Sequence, residues 1–322
     1  MNHDQKIIDY IRDNPQVGRK KLSELFGITE SAARYLKVAA LGIEEQNESN
    51  SITERDVARF LKERGLSIDA VINILTPQKY SQKVIGDKYV KEFSIGIIGD
   101  THLCDKSCAM DELYDYYDKC KKTGVEHIVH AGDLTAGINV YKGMEYDLSV
   151  HGFADQLKYI EEYYPKVEGI TTHVISGNHD LSFKQTAGAN IVEEVSNRRE
   201  DIKWIGDYDA TILINGVSIG LHHGAGGSAA YSISYRLQKY IEKIGAGQKP
   251  QIYVLGHYHA AMTMFYRNLH CFLPGCWQKP NDFSVRLGLP NMICGYISHL
   301  KIENDEHRSI RSISNELISY YD

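Results

Sequence analysis

Five short apolar runs punctuate the middle of the chain: Ile95 to Ile98, His127 to Ala131, His173 to Ser176, Val217 to Leu221 and Ile252 to Leu255. Compact runs with little polar alternation are the pattern of strands buried on both faces. Between and beside them, helical periodicity gives helices over Met110 to Lys122, Phe153 to Tyr164, Asn190 to Ser196 and Ser228 to Ile244. This alternation predicts an α/β architecture. Beyond His259 the pattern turns mostly to strand, over Met262 to Tyr266, His270 to Leu273, Met292 to Ile302 and Arg308 to Ile313. No internal repeat or long low-complexity tract is present.

Residues 1–45 read differently. Ile7, Ile8 and Ile11 give a helix over Gln5 to Arg12; Lys20 to Phe26 and Glu30 to Ala40 follow as two more. Gly27 suits a helix end, and Thr29 can cap the next helix through its hydroxyl. Leu22, Leu25, Phe26, Ala33, Leu36 and Ala40 supply a shared apolar seam. The segment resembles a helix-turn-helix whose recognition helix starts at Glu30. Its charge is balanced. Lys6, Arg12, Arg19, Lys20, Lys21, Arg34 and Lys37 stand against Asp4, Asp9, Asp13, Glu24, Glu30, Glu44 and Glu45. That balance leaves DNA contact and protein packing equally open, with Arg19 to Lys21 as one basic cluster and Arg34 and Lys37 as candidates for one exposed face. A polar linker is expected at Gln46 to Ser51 and an amphipathic helix at Thr53 to Arg64, and Leu66 to Glu92 reads as connector. The expected division is thus 1–45, 46–92 and 93–322.

With 322 residues, 24% charged and 43% hydrophobic, the chain has an ordinary globular composition. No apolar stretch approaches the ~20 residues that span a bilayer, so no membrane partner is expected. The first residues lack the pattern of a signal peptide, and six irregularly spaced cysteines read as reduced thiols of a cytoplasmic protein. Cys104 and Cys108, with three residues between them, do not match a zinc knuckle and read as packing. A net charge of −6 argues against coating nucleic acid by bulk electrostatics.

Chemistry concentrates directly after the five apolar runs. There stand Gly99-Asp100-Thr101-His102, Gly132-Asp133, Gly177-Asn178-His179-Asp180, His222-His223-Gly224 and Gly256-His257-Tyr258-His259. In open α/β sheets the edge where such strands end is where ligands bind. Asp100, His102, Asp133, Asn178, His223, His257 and His259 offer carboxylate, amide and imidazole donors without thiolate. That mixture suits Mn²⁺, Fe²⁺ or Zn²⁺ better than Ca²⁺ or a structural zinc. Seven donors exceed the need of one tetrahedral ion, so two divalent ions are the economical reading, with Mn²⁺ favoured.

From Asp100 to His259 the chain resembles the calcineurin-like metallophosphoesterase superfamily. The resemblance implies a β-sandwich flanked by helices, here preceded by the small all-α segment. It implies a first ion on Asp100, His102, Asp133 and His259, and a second on Asp133, Asn178, His223 and His257. His179 would face the substrate and protonate the leaving oxygen or stabilise the transition state. Asp180, a carboxylate beside that imidazole, is expected to hold it in orientation. The family places its ligand directly before glycine, which favours His223 over His222. Of the remaining histidines only His151 follows the Asp133 loop closely enough to be a further candidate.

The resemblance leaves the substrate open. Leu134-Thr135-Ala136-Gly137 lacks the acid-arginine-glycine continuation of Ser/Thr protein phosphatases. Gly224 to Ser228 could offer backbone N–H groups to a phosphate or only form a turn, with Arg236, Lys239 and Lys243 on the helix behind. Phe265, Tyr266, Arg267, Phe272, Trp277, Phe283 and Arg286 could wall a cleft or lie in the core. The leading expectation is a metal-dependent phosphodiesterase or nuclease attacking phosphorus in DNA or another polynucleotide, with residues 1–45 targeting it. The alternatives are a phosphoesterase for small or cyclic nucleotides, and a DNA-binding regulator that keeps the domain as scaffold.

Overall fold

The computed structural model describes residues 3–41, 83–85, 89–226, 232–245, 249–288 and 290–321. The chain forms two compact units, residues 1–78 and 79–322. The expected linker at 46–51, the helix at 53–64 and most of the connector lie outside the described residues.

In the first unit, α1 (His3–Asp13), α2 (Arg19–Phe26) and α3 (Glu30–Leu41) bury Ile7, Ile11, Leu22, Ala33, Leu36 and Ala40 together. Gly27 ends α2 in the left-handed region at φ 63°, and Thr29 Oγ1 accepts the Ala32 N–H at 3.2 Å. The apolar stripe of α2 centres on Leu22 and Phe26, so Leu25, expected in the seam, sits at its edge, 49% exposed. Lys37 donates to the Val17 carbonyl at 2.7 Å, and Arg19 pairs with Glu30 at 3.4 Å.

The second unit contains β1 (Lys83–Ile85), β2 (Glu92–Ile98), β3 (His127–His130), β4 (Thr171–Ser176), β5 (Ile202–Asp207) and β6 (Asp209–Ile214). After these come β7 (Val217–His223), β8 (Ile252–Gly256), β9 (Ala261–Tyr266), β10 (Leu269–Pro274), β11 (Cys294–Ile302) and β12 (Ile310–Ser319). Its described helices are α4 (Met110–Lys122), α5 (Phe153–Tyr163), α6 (Asn178–Thr186), α7 (Ile191–Arg198), α8 (Ile233–Glu242) and α9 (Asp282–Leu287). The strands form two six-stranded sheets, ordered β12-β11-β2-β3-β4-β5 and β1-β6-β7-β8-β10-β9.

Alternation along each strand then builds four layers. Ile95, Ile97, Val129 and Ile175 meet Ile212, Ile219, Leu221, Val254 and Phe272 between the sheets. On the outer face of the first sheet, Leu113, Tyr116 and Cys120 of α4, Leu157 and Ile160 of α5 and Val192 and Val195 of α7 pack against Ile98, Ile128 and Val174. On the other side, Leu237 and Ile241 of α8 cover Tyr253, Leu255 and Cys271. The fold is therefore α/β, two sheets flanked by helices. Among the described residues no helix is long and apolar enough to cross a membrane. All six cysteines are free thiols, with Cys108 donating to the Thr101 carbonyl at 3.2 Å.

One side chain is built into the first sheet. The Tyr116 hydroxyl accepts the Ile97 N–H at 3.1 Å and donates to the Tyr296 carbonyl at 2.7 Å, bridging residues that face each other across β2 and β11. Gly96 and Gly295 leave the space for it: a Cβ on either would come within 2.9 Å of the tyrosine ring or hydroxyl. Tyr116→Phe should leave a buried donor and acceptor unmatched and cost ~1–3 kcal/mol. A denaturant midpoint unchanged from the wild type would contradict that bridging role.

Candidate metal centre

The two sheets bring five loops to one edge. β2, β3 and β4 are parallel neighbours in one sheet, β7 and β8 in the other, so each group ends on the same side. Asp100 and Asp133 follow β2 and β3, Asn178 opens α6 after β4, His223 ends β7, and His257 follows β8. The loops are stitched through their backbones. Asp100 N–H donates to Gly132 at 2.9 Å, and His102 N–H to Asp133 at 3.1 Å. His257 N–H points at both Asp100 carboxylate oxygens, at 2.9 and 3.0 Å. Five candidate ligands hold a left-handed backbone: Asp100, His102, Asp133, His257 and His259 lie at φ 52°, 45°, 54°, 87° and 51°. Asp and His tolerate this region better than most residues, at roughly 1–3 kcal/mol each, and such strain clusters where side chains are aimed at a site. At Gly177 even a methyl group would collide with the Asp133 carboxylate.

Donor atoms converge accordingly. Asp100, His102 and His259 form one trio whose ligating atoms lie within 4.8 Å of one another; Asp133, His223 and His257 form another, and His102, Asp133 and His179 a third. Asp133 links two of them. Its Oδ1 accepts the His179 N–H at 2.8 Å. Its Oδ2 is buried without a hydrogen-bond partner, ringed by Nε2 of His223, His102 and His179 at 3.1, 4.0 and 4.0 Å. His102 and His259 face each other Nε2 to Nε2 at 3.0 Å, and Asn178 Oδ1 lies 3.0 Å from His223 Nε2. Lone pairs aimed at one another in a buried space repel unless a proton or a cation lies between them, so this donor set fits divalent metal.

The electrostatics agree. Burial, with the neighbouring His179, pushes the His102 imidazole well down, and burial takes His259 to about 3 and His257 to about 4. Neutral rings leave a nitrogen lone pair for a metal. His223 moves the other way, to about 9: burial opposes its charge, but the Asp133 carboxylate overrides that. Its Nδ1 donates to the Ala131 carbonyl at 2.8 Å, which turns Nε2 towards Asp133. Burial would raise Asp133, yet His223 and His179 hold it well below the usual carboxylate range.

His179 and Asp180 part company. The side chain of Asp180 was expected to orient His179; instead it accepts N–H groups of Gly177, Thr135 and Leu134 at 2.8, 2.9 and 3.2 Å. At the third position of α6 a carboxylate reaches back to the residue before the helix, which points it away from the adjacent imidazole. Burial and the nearby Asp133 push its carboxyl up to about 7, against those three bonds. The Ala136 carbonyl holds His179 instead, 2.6 Å from Nδ1.

His222 projects to the other side of the strand end and packs on Tyr240, ring centroids 4.5 Å apart. His151 is exposed and belongs to none of the donor trios. Phe272 and Trp277 belong to the core: Phe272 packs on Tyr296 between the sheets, and Trp277 lies against Tyr116. Phe265 and Arg286 are exposed, and the Phe283 side chain lies outside the described residues. Of the glycine-rich loop, the Ala225 N–H is taken by the Tyr240 hydroxyl at 3.0 Å, and residues 227–231 are not described. His130 was passed over in sequence. It accepts the Gly132 N–H at Nδ1 (3.2 Å), so Nε2–H donates to Thr101 Oγ1 (3.0 Å), whose hydroxyl donates to Leu134 (2.9 Å). This relay ties the Asp100 and Asp133 loops, and only its place at the end of an apolar run hinted at it.

Comparison with known proteins gives the geometry a family. The calcineurin-like phosphoesterase superfamily domain matches residues 93–286. The chain is similar to the DNA polymerase II small subunit of Halobacterium salinarum, 23% identical over 250 residues that cover 66% of this chain and 48% of that one. The small subunit of Archaeoglobus fulgidus is 23% identical over 244 residues, covering 63% and 50%. The chain thus spans about half the length of the curated relatives it matches. Among solved structures it is similar to an archaeal phosphodiesterase (15% identity, TM-score 0.41, 71% of this chain and 100% of that one). Another is vacuolar protein sorting 29 from Cryptosporidium parvum (13% identity, TM-score 0.37, 72% and 100%). With more than half of its length matched by that one domain, the chain belongs to the calcineurin-like phosphoesterase superfamily, whose members are typically dinuclear metal-dependent.

Proposed function

We propose that this chain is a two-metal phosphodiesterase acting on a polynucleotide, DNA foremost. The observation that carries the metal chemistry is Asp133 Oδ2, buried without a hydrogen-bond partner among three imidazole nitrogens. Asp100, His102, Asp133 and His259 would hold one divalent ion, and Asp133, Asn178, His223 and His257 the other. Mn²⁺ suits these oxygen and nitrogen donors, as do Fe²⁺ and Zn²⁺. When bound, such ions activate water and offset the charge gathering on phosphoryl oxygens.

The protein's own part centres on His179. Its side chain is 16% exposed, so it borders both the metal ligands and solvent. With Nδ1 donating to Ala136, Nε2 carries a proton only when the ring is charged. The imidazolium delivers that proton to the leaving oxygen, and the carbonyl keeps the ring aimed while it does so.

Two considerations support a polynucleotide substrate. The relatives named above are subunits of a DNA polymerase. The amino-terminal helices, read as a helix-turn-helix, leave Arg19, Lys20 and Lys21 exposed, a small cluster for phosphate contact.

Asp133→Asn should lower Mn²⁺-dependent hydrolysis of a chromogenic phosphodiester by at least ~100-fold, and the wild type should cleave that diester faster than its monoester. A preference for the monoester would sink the phosphodiesterase reading. His179→Ala should lower kcat by ~10²–10⁴-fold while the protein still takes up two equivalents of metal, as read by equilibrium dialysis. Removing residues 1–45 should weaken binding to DNA and flatten its salt dependence while sparing cleavage of the small diester. Equal loss of both activities would assign those residues to folding.

A further inference from the structure

Arg236, on α8, carries a polar atom that the fold leaves unmatched. Its Nε is buried without a hydrogen-bond partner, and among the described residues its guanidinium enters no ion pair. Compare Arg199, the chain's structural arginine, 5% exposed. It donates to the Tyr164 and Pro165 carbonyls at 2.7 and 3.1 Å and pairs with Asp201. Arg236 is partly buried, and a guanidinium with an unmatched Nε and no carboxylate beside it among the described residues is free to take an anion from outside.

Its place in the fold says which anion. Arg236 lies one turn before Tyr240 on the same face of α8. Tyr240 packs on His222, and its hydroxyl accepts the Ala225 N–H two residues beyond His223. On the neighbouring loop, Tyr258 stands between His257 and His259, its ring 5.2 Å from that of His257 and close enough to Gly224 that a Cβ there would lie 2.7 Å from it. This face of α8 therefore borders the wall of the metal centre built by His223, His257 and Tyr258. The Arg236 charge is felt there: it adds to the burial and the His223 charge that depress His257, and it opposes the burial that raises Tyr258.

We propose that Arg236 is the substrate-anchoring cation of this centre, receiving a non-bridging phosphate oxygen of the bound ester. The inference rests on the phosphoesterase reading above and adds a recognition residue to it. A guanidinium fork matches phosphate geometry and stays charged at every working pH, whereas an ammonium offers only a point charge.

The test uses the Mn²⁺-loaded full chain with inorganic phosphate as probe, titrated calorimetrically, beside steady-state cleavage of the diester. Arg236→Gln should weaken phosphate binding and raise KM by about ten- to a hundredfold, with a smaller change in kcat. Arg236→Lys should recover part of the loss. Lys239→Gln, one turn further on and set over the Tyr235 ring, should behave as wild type. Metal content should stay at two equivalents, and the melting temperature of Arg236→Gln should hold, because no hydrogen bond or ion pair to a described residue is lost. A drop in melting temperature with unaltered phosphate binding would make Arg236 a structural residue and overturn the proposal. So would a wild-type protein that takes up no phosphate. Failure to hydrolyse either ester, with Arg236-dependent phosphate binding intact, would instead remove the phosphodiesterase reading and keep the anchoring role.

Discussion

Everything at the centre of this molecule answers to the burial of one carboxylate. Asp133 is fully removed from solvent, and a carboxylate there persists only with charges or donors around it. The His179 N–H takes one oxygen, His223 stands beside the other, and Gly177 gives up its side chain to leave room. From that requirement follow the close approach of the β3 and β4 loops and the turn that aims His179. The same crowding explains why Asp180 is spent on backbone N–H groups: three donors from two loops need an acceptor, and the third position of α6 is where one fits.

The site also locks the sandwich. Apolar packing between two sheets is non-directional and would tolerate sliding. At the ligand edge it is replaced by directed bonds from one sheet's loops to the other's: Ala131 to His223, Asp100 to the His257 N–H, and Tyr208, between β5 and β6, to the His223 N–H at 2.6 Å. The relative position of the two donor groups is thus fixed by the atoms that would hold metal or by their immediate neighbours.

Much of this was readable from sequence because parallel, doubly buried strands write themselves as unmixed apolar runs. β2, β3, β4 and β8 all did so, each followed by its polar motif. The misses have physical causes. β5 and β6 are separated by Tyr208 alone yet lie in different sheets; a tyrosine at φ 58° makes the reversal, and the one glycine nearby, Gly206, sits inside β5, where a Cβ would come within 2.7 Å of the Asp209 carbonyl. β12 runs to Ser319, well past the expected Ile313, because an edge strand pairs through its backbone and its mostly exposed side chains carry little pattern. α6 was hidden because it opens with the metal-motif residues themselves. For Phe272 and Trp277 the sequence left core and cleft open, because an aromatic's address depends on which loop covers it, and both lie in the core. The Ala136 carbonyl that holds His179 has no side-chain signature at all.

The left-handed turns under Asp100 and Asp133 carry an evolutionary consequence. Asparagine and glycine enter that region at least as easily as aspartate, so replacing either acid with one of them relaxes the backbone and removes a charge from a dry interior. An amide oxygen can still accept the His179 and His257 N–H groups, so folding resists asparagine at these two places less than it resists other changes. A lineage released from the need for catalysis would therefore shed its metal ligands first and keep its architecture, leaving a well-formed shell with an inert centre.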